Sequence, residues 1–284
     1  MANAGTRTVC RRWRCIVFAS PRRLDLKLYC TPQRSVSSKT LDIWPVLPIV
    51  IFSKYFQTKE YMQSKKGTQS KQDVANILAA LSHHNRVCKI HYDNEQFQDS
   101  LLKEVAAIDR PFPVLTSVRL STSQQQNVPI LPDSFLGGSA PRLRSLDLYG
   151  VPYSSMGKLL SSTINLVGLF LRRIPHSGYI APETIIPLLS TLSRLGSLVL
   201  RFQHPRSQSH RATRHPPPHV VFPNPTYLGF TRNVEYLEDV LSQIETPPYS
   251  TKEPRRALFL QSTSIRHSTT WALHRASSIA RKHS

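Results

Sequence analysis

Apolar positions in the middle of the chain follow a spacing that neither regular element explains. In "SAPRLRSLDLYG", Ser139 to Gly150, leucines stand at 143, 146 and 148. A helix repeats apolar residues at three and four apart, and a strand repeats them at every second position. A gap of three followed by two fits a short strand whose first leucine sits on the bend leading into it. The spacing returns at Leu166, Leu169, Leu171 and at Leu195, Leu198, Leu200. Val87, Ile90, Tyr92 and Leu115, Val118, Leu120 come before, and a degraded copy, Pro225, Leu228, Phe230, comes after. The first positions are therefore separated by 28, 28, 23, 29 and 30 residues.

Helical patterns fill the gaps. "DVANILAALSHHN" starts from a candidate N-cap, Asp73, and places Val74, Ile77, Leu78 and Leu81 on one face. "DSLLKEVAAI" repeats the pattern from Asp99, "SSMGKLLSSTINL" from Ser154 or Ser155, and "APETIIPLLSTLSRL" puts Pro182 and Glu183 in a first turn. "NVEYLEDVLSQI", from Asn233, aligns Val234, Leu237, Val240, Leu241 and Ile244. Helices alternating with strands give parallel strands with helices on the outer side. A recurrent period near that of leucine-rich repeats, which run ~20–29 residues, is the mark of a stack of repeats. The expected fold is α/β, a leucine-rich-repeat-like solenoid of short parallel strands alternating with helices in irregular repeats, over residues 21–248. One departure stands out. Where the consensus has Asn or Cys after the strand, this chain has Ser123, Val151, Ile174 and Gln203. Its turns must satisfy their backbone groups by other means.

Composition agrees with a folded chain: 284 residues, 40% hydrophobic and 19% charged, with 22 prolines against 10 glycines. A formal net charge of +20 favours contact with RNA, DNA, acidic proteins or anionic surfaces. That charge concentrates in the first two dozen residues, in an insert at 54–72, and in a tail at 249–284 that is expected to lack regular structure. Residues 203–220, with His, Arg and three consecutive prolines, read as an exposed loop, a proline-rich docking segment or an RNA contact. The cysteines at 10, 15, 30 and 88 make no CxxC and no zinc series, so no metal and no cofactor are expected. "WPVLPIVIF" is shorter than the ~20 apolar residues that cross a bilayer, so no membrane partner is expected. No signal-peptide pattern opens the chain, and an intracellular place, cytoplasmic or nuclear, is expected. Nucleophile elbows, phosphate loops, dinucleotide fingerprints and zincin motifs are all missing, and the chain reads as a non-enzyme without catalytic residues.

Residues alternating with the inward leucines line the other face of the strands. They are Ser117 and Arg119; Ser145, Asp147 and Tyr149; Gly168, Phe170 and Arg172; Ser197, Val199 and Arg201. Tyr and Arg dominate binding hot spots, so Arg119, Asp147, Tyr149, Phe170, Arg172 and Arg201 are the candidate protein-binding residues.

The phrases "RRWRCIVFASPRRLDLKLYCT", "LDIWPVLPIVI", "VPILPDSFLGGSAPRLRSLDL", "PHSGYIAPETII" and "NVEYLEDVL" resemble a group of basidiomycete-type fungal F-box proteins with leucine-rich-like repeats. The resemblance implies an F-box that docks a Skp-type adaptor of a cullin–RING ubiquitin ligase, followed by repeats that receive a protein substrate. "VCRRWRCIV" looks like the last helix of an F-box, which assigns Cys10, Trp13 and Ile16 to adaptor docking within residues 1–20. Only "MANAGTRT" precedes it, so the segment reads as a remnant of the module. Two other readings stand beside this one: a nucleic-acid-binding protein that uses its basic flanks, and an inactive fragment of an F-box protein.

Overall fold

The computed structural model describes residues 27–31, 41, 47–53, 71–94, 100–122, 128, 130–153, 156–203, 220–221, 227–231, 236, 239–240, 244–245, 259–264 and 267–272. Each apolar triplet enters one strand of a single parallel sheet. The first seven strands are β1 (Leu28–Cys30), β2 (Ile49–Ser53), β3 (Val87–Asn94), β4 (Ser117–Thr122), β5 (Ser145–Tyr149), β6 (Gly168–Ile174) and β7 (Ser197–Phe202). After β8 (Val220–Val221), which stands outside this sheet, β9 (Tyr227–Thr231) completes it. Lys89 pairs with Ser117, Ser117 with Ser145, Ser145 with Gly168, Gly168 with Ser197, and Ser197 with Tyr227. The register thus steps by the same 28, 28, 23, 29 and 30 residues that separate the triplets.

The three-then-two spacing has a geometric cause. The first leucine of a triplet closes a tight turn, and the next two fall on one face of the strand. Leu143 N–H donates to the Ala140 carbonyl at 2.9 Å, Leu166 to Thr163 at 3.0 Å, and Leu195 to Leu192 at 3.0 Å. Phe112 and Leu115 make the equivalent turn at 3.3 Å. All eight residues are fully buried, so a second recurrent position lies three residues before each of these four triplets. The turns also climb from strand to strand. The Thr116 carbonyl accepts from the amides of Arg144 and Ser145, the Arg144 carbonyl from Val167 and Gly168, and the Val167 carbonyl from Gly196 and Ser197.

At the far ends of the strands, neighbouring repeats pair directly where the consensus would use a buried Asn. Gly150 N–H reaches the Arg172 carbonyl at 2.8 Å and Gln203 N–H the Ile174 carbonyl at 2.9 Å, while Val151 and Ile174 pack into the core. Gly150 is required there. Its φ is +70°, and a Cβ would sit 2.5 Å from the Thr122 carbonyl oxygen.

Helices α1 (Lys71–Ser82), α2 (Ser100–Ala106), α3 (Gly157–Ser162) and α4 (Pro182–Thr191) join successive strands. Strand order in the sheet is β1-β2-β3-β4-β5-β6-β7-β9, without a reversal. Parallel crossovers are right-handed, so a sheet that always advances in one direction carries all its helices on one face. Ile77, Leu81, Leu159, Leu160, Ile185 and Leu189 accordingly share one core with Leu146, Leu148, Leu169, Leu171, Leu198 and Leu200. Each such side chain contributes ~1.5–3 kcal/mol on burial. The opposite face carries no helix among the described residues.

Several boundaries differ from expectation. Helix α1 begins at Lys71, placing Asp73 inside it and the last two residues of the 54–72 insert in its first turn. Met156 occupies the N-cap position of α3 without a side-chain hydrogen bond, and Ser154 and Ser155 lie outside the described residues. Pro182 and Glu183 do open α4. Residues 236, 239 and 240 are helical, but Ile244 leaves the expected stripe for β10 (Ile244–Glu245), which pairs with β8 at the end of the 203–220 loop. The tail, expected to lack regular structure, carries an antiparallel hairpin of β11 (Phe259–Ser264) and β12 (His267–Ala272). β1 and β2 extend the sheet where no triplet announces a strand, and "WPVLPIVIF" supplies β2. No helix among the described residues is long and apolar enough to cross a membrane.

Leu166 and Ile164 lie two residues apart on one turn, the first fully buried and the second 60% exposed. Leu166→Ala should cost about 2–5 kcal/mol in urea-induced unfolding. Ile164→Ala should stay within about 0.5 kcal/mol of the parent. A core charge, Leu146→Asp, should abolish cooperative unfolding across the middle of the sheet.

Candidate functional site

Alternation along the strands puts Ser117 and Arg119, then Asp147 and Tyr149, then Phe170 and Arg172, on the face without helices. The register brings three of the expected residues into direct contact. Arg119 pairs with Asp147 across β4 and β5, and Arg172 reaches Asp147 from β6. Arg119 Nε donates to Asp147 Oδ2 at 2.9 Å. Arg172 Nε and Nη2 donate to Oδ1 at 3.1 and 2.7 Å, and Nη2 also reaches Oδ2. Asp147 is only 3% exposed, yet it lies on the uncovered face, because its two arginines cover it. Their side chains stay 56% and 34% exposed. A desolvated carboxylate held by two guanidiniums is a strong tie between three strands.

Tyr149 stands beside this cluster. The guanidinium carbons of Arg172 and Arg173 lie 5.8 and 5.5 Å from its ring centre, within cation–π range. Phe170 does not join the ion cluster. Its ring folds back over Gly168 on the same strand, where a Cβ would come within 2.6 Å of the ring edge. Tyr227 lies over Gly229 in the same manner. Arg201 stands on β7 with its Nε buried and without a hydrogen-bond partner among the described residues. Cys10, Trp13 and Ile16 lie outside the described residues.

The face extends further than expected. Lys89, His91 and Asp93 alternate with Ile90 and Tyr92 on β3, and Phe52 precedes them on β2, its ring 6.1 Å from that of His91. The triplet at Val87 already carries the signal for Lys89 and His91; the alternation needs only to be continued one strand earlier. His91 Nε2 lies 3.1 Å from Ser117 Oγ, the nearest approach on this face to a base beside a nucleophile. Among the described residues no group orients the second ring nitrogen. Burial first, then the charges of Arg119 and Lys89, lower the His91 pKa, and Asp147 opposes them weakly. Among the described residues no cluster of His, Cys, Asp or Glu is placed to hold a metal. Burial pushes the Cys30 thiol up to about 11, and Cys30 and Cys88 are both buried.

The Asp147 cluster predicts an asymmetry. Arg172→Ala removes the two-nitrogen grip on a buried carboxylate and should cost on the order of 1–3 kcal/mol. Arg119→Ala, more exposed, should cost under about 1 kcal/mol; a double-mutant cycle read by urea unfolding measures both. His91 titrates in the other direction from a stabilising pair. Its folded pKa is depressed below 6.5, so stability holds above that pH and declines as pH falls, when the unfolded imidazole takes a proton first. Unfolding measured from about pH 7.5 down to 5 should show this loss, and His91→Gln should reduce it.

No family model, no curated protein and no solved structure matches this chain. What stands is an α/β chain whose eight-stranded, all-parallel sheet alternates with helices and presents one helix-free face built around Asp147.

Proposed function

We propose that the chain is a non-enzymatic protein receptor: an irregular solenoid of leucine-rich-repeat type that offers its helix-free face to a protein partner. The observation that carries this reading is the grouping of Tyr149, Arg172 and Arg173 beside the Asp147 ion cluster, with Phe170 opposite Asp147 in the strand register. Tyr and Arg on a rigid sheet lose little conformational freedom on binding, which is why they concentrate in hot spots. The unreversed strand order supports the same reading. Doubly wound sheets bind small ligands in the crevice where their strand order reverses, and this order has no such point among its described strands. The resemblance to F-box proteins supplies the cellular setting, a substrate receptor of a cullin–RING ubiquitin ligase, with adaptor docking assigned to Cys10, Trp13 and Ile16.

A second reading has its own support. The face carries Lys89, Arg119, Arg172, Arg173 and Arg201 against Asp93 and Asp147, and aromatic rings interleaved with cations suit single-stranded nucleic acid. Purification of the tagged chain from its native cells, with and without nuclease and at two salt concentrations, separates the two. A protein partner should survive nuclease and moderate salt and be lost from Tyr149→Ala and Phe170→Ala variants that still unfold cooperatively. Loss of every partner on nuclease or salt would sink the receptor reading, since phosphate-driven binding falls steeply with salt. Co-recovery of a Skp-type adaptor and a cullin is the expected result if the ligase setting is right.

A further inference from the structure

We infer that a bulge in β6, together with Arg201 on β7, is the part of the receptor face that engages an acidic segment of the partner, through Asp or Glu side chains. The inference rests on the receptor reading above and adds the partner's chemistry. Leu171 pairs with Leu200 and Ile174 with Phe202, so two residues, Arg172 and Arg173, stand opposite Arg201 alone. Arg173 has a φ of +49°, a left-handed conformation that disfavours a long side chain. The bulge thus holds backbone strain that sets consecutive arginines side by side, with a third on the adjacent strand ~4.8 Å away.

These three cations are not equally occupied. Arg172 is committed to Asp147. Among the described residues Arg173 meets only the Tyr149 ring, and the buried Nε of Arg201 has no acceptor. A buried N–H without an acceptor is costly, and like charges on neighbouring strands repel. Among the described residues the other carboxylate of the face is Asp93, on β3, three strands from β6. An incoming carboxylate supplies what both groups lack, and the guanidinium fork matches its geometry. A nucleic acid fits less well. The cations cluster at the ends of two strands and do not form a continuous track, and Asp147 and Asp93 on the same face repel phosphates.

The full chain can be tested by fluorescence anisotropy against a short labelled peptide of alternating Glu and Ala. The same peptide with Gln for Glu, and a labelled oligouridylate, serve as comparisons. Two variant pairs each remove two positive charges: Arg173→Gly with Arg201→Gln at the bulge, and Arg142→Gln with Arg194→Gln on exposed turns before β5 and β7. Glycine suits the Arg173 backbone, so Arg173→Gly should leave Tm unchanged or raise it while binding weakens. If that variant fails to fold, Arg201→Gln alone remains informative. The bulge pair should weaken the Glu peptide about tenfold or more, and the turn pair by less than about twofold; the Gln peptide should not bind. Equal losses from the two pairs would overturn the inference, because diffuse charge would then explain the binding. Absence of Glu-peptide binding, equal binding of the Gln peptide, or oligouridylate displacing the Glu peptide from the bulge would also overturn it. The first two outcomes would leave the receptor reading standing, which fails only if nuclease or salt strips every partner.

Discussion

No repeat in this chain can bury its own leucines. Leu146 and Leu148 are enclosed because Val118 and Leu120 lie on one side and Leu169 and Leu171 on the other. The whole structure depends on that mutual enclosure, which fixes the inner strands in register and leaves the outer connections free to vary. Between β5 and β6 the connection is short and holds the six-residue α3; between β6 and β7 it is longer and holds the ten-residue α4. Between β4 and β5 the described residues hold only a 3₁₀ turn at Phe135–Gly138. The climbing carbonyls of Thr116, Arg144 and Val167 tolerate these differences because they join backbone at the strand entrances, where β4, β5, β6 and β7 are entered by the same turn.

Side-chain period alone makes the centre of the fold legible in the sequence. The triplets give strand positions, register and face together, because an inward leucine on a parallel strand must meet its equivalent in the next repeat. β1 and β2 are hidden for a physical reason. "IVIF" is apolar on consecutive residues, Ile49, Val50 and Ile51 are all buried, and a continuous run carries no period. The insert after β2 also lengthens the step to β3 and conceals the repeat. The tail hairpin escapes notice because its strands, "FLQSTS" and "HSTTWA", are rich in Ser and Thr, and only their cross-strand pairing makes them a sheet.

The site is legible to a lesser depth. Alternation assigns a residue to a face but not to a partner. It places Arg119, Asp147 and Arg172 together without revealing that the carboxylate is covered by both arginines. Nor does it reveal a bulge, since nothing in "LFLRRIP" distinguishes two residues opposite one from ordinary pairing. The cluster has a structural effect of its own. By linking β4, β5 and β6 through one carboxylate, it penalises any slip of a single residue, which would turn Asp147 toward the leucines and the leucines toward water.

A sheet whose strands pair in the order in which the chain supplies them, with β8 alone passed over, has an architecture that can be lengthened. A unit of one strand, one turn and one connection can be inserted or deleted between two others, and only the two new junctions need to fit. Strands beyond the change keep their own partners and are displaced by about 4.8 Å per unit added. The helix-free face would widen by one row while the Asp147 cluster, confined to three consecutive strands, stayed intact. Addition of a unit therefore alters the breadth of the surface without disturbing the chemistry at its centre.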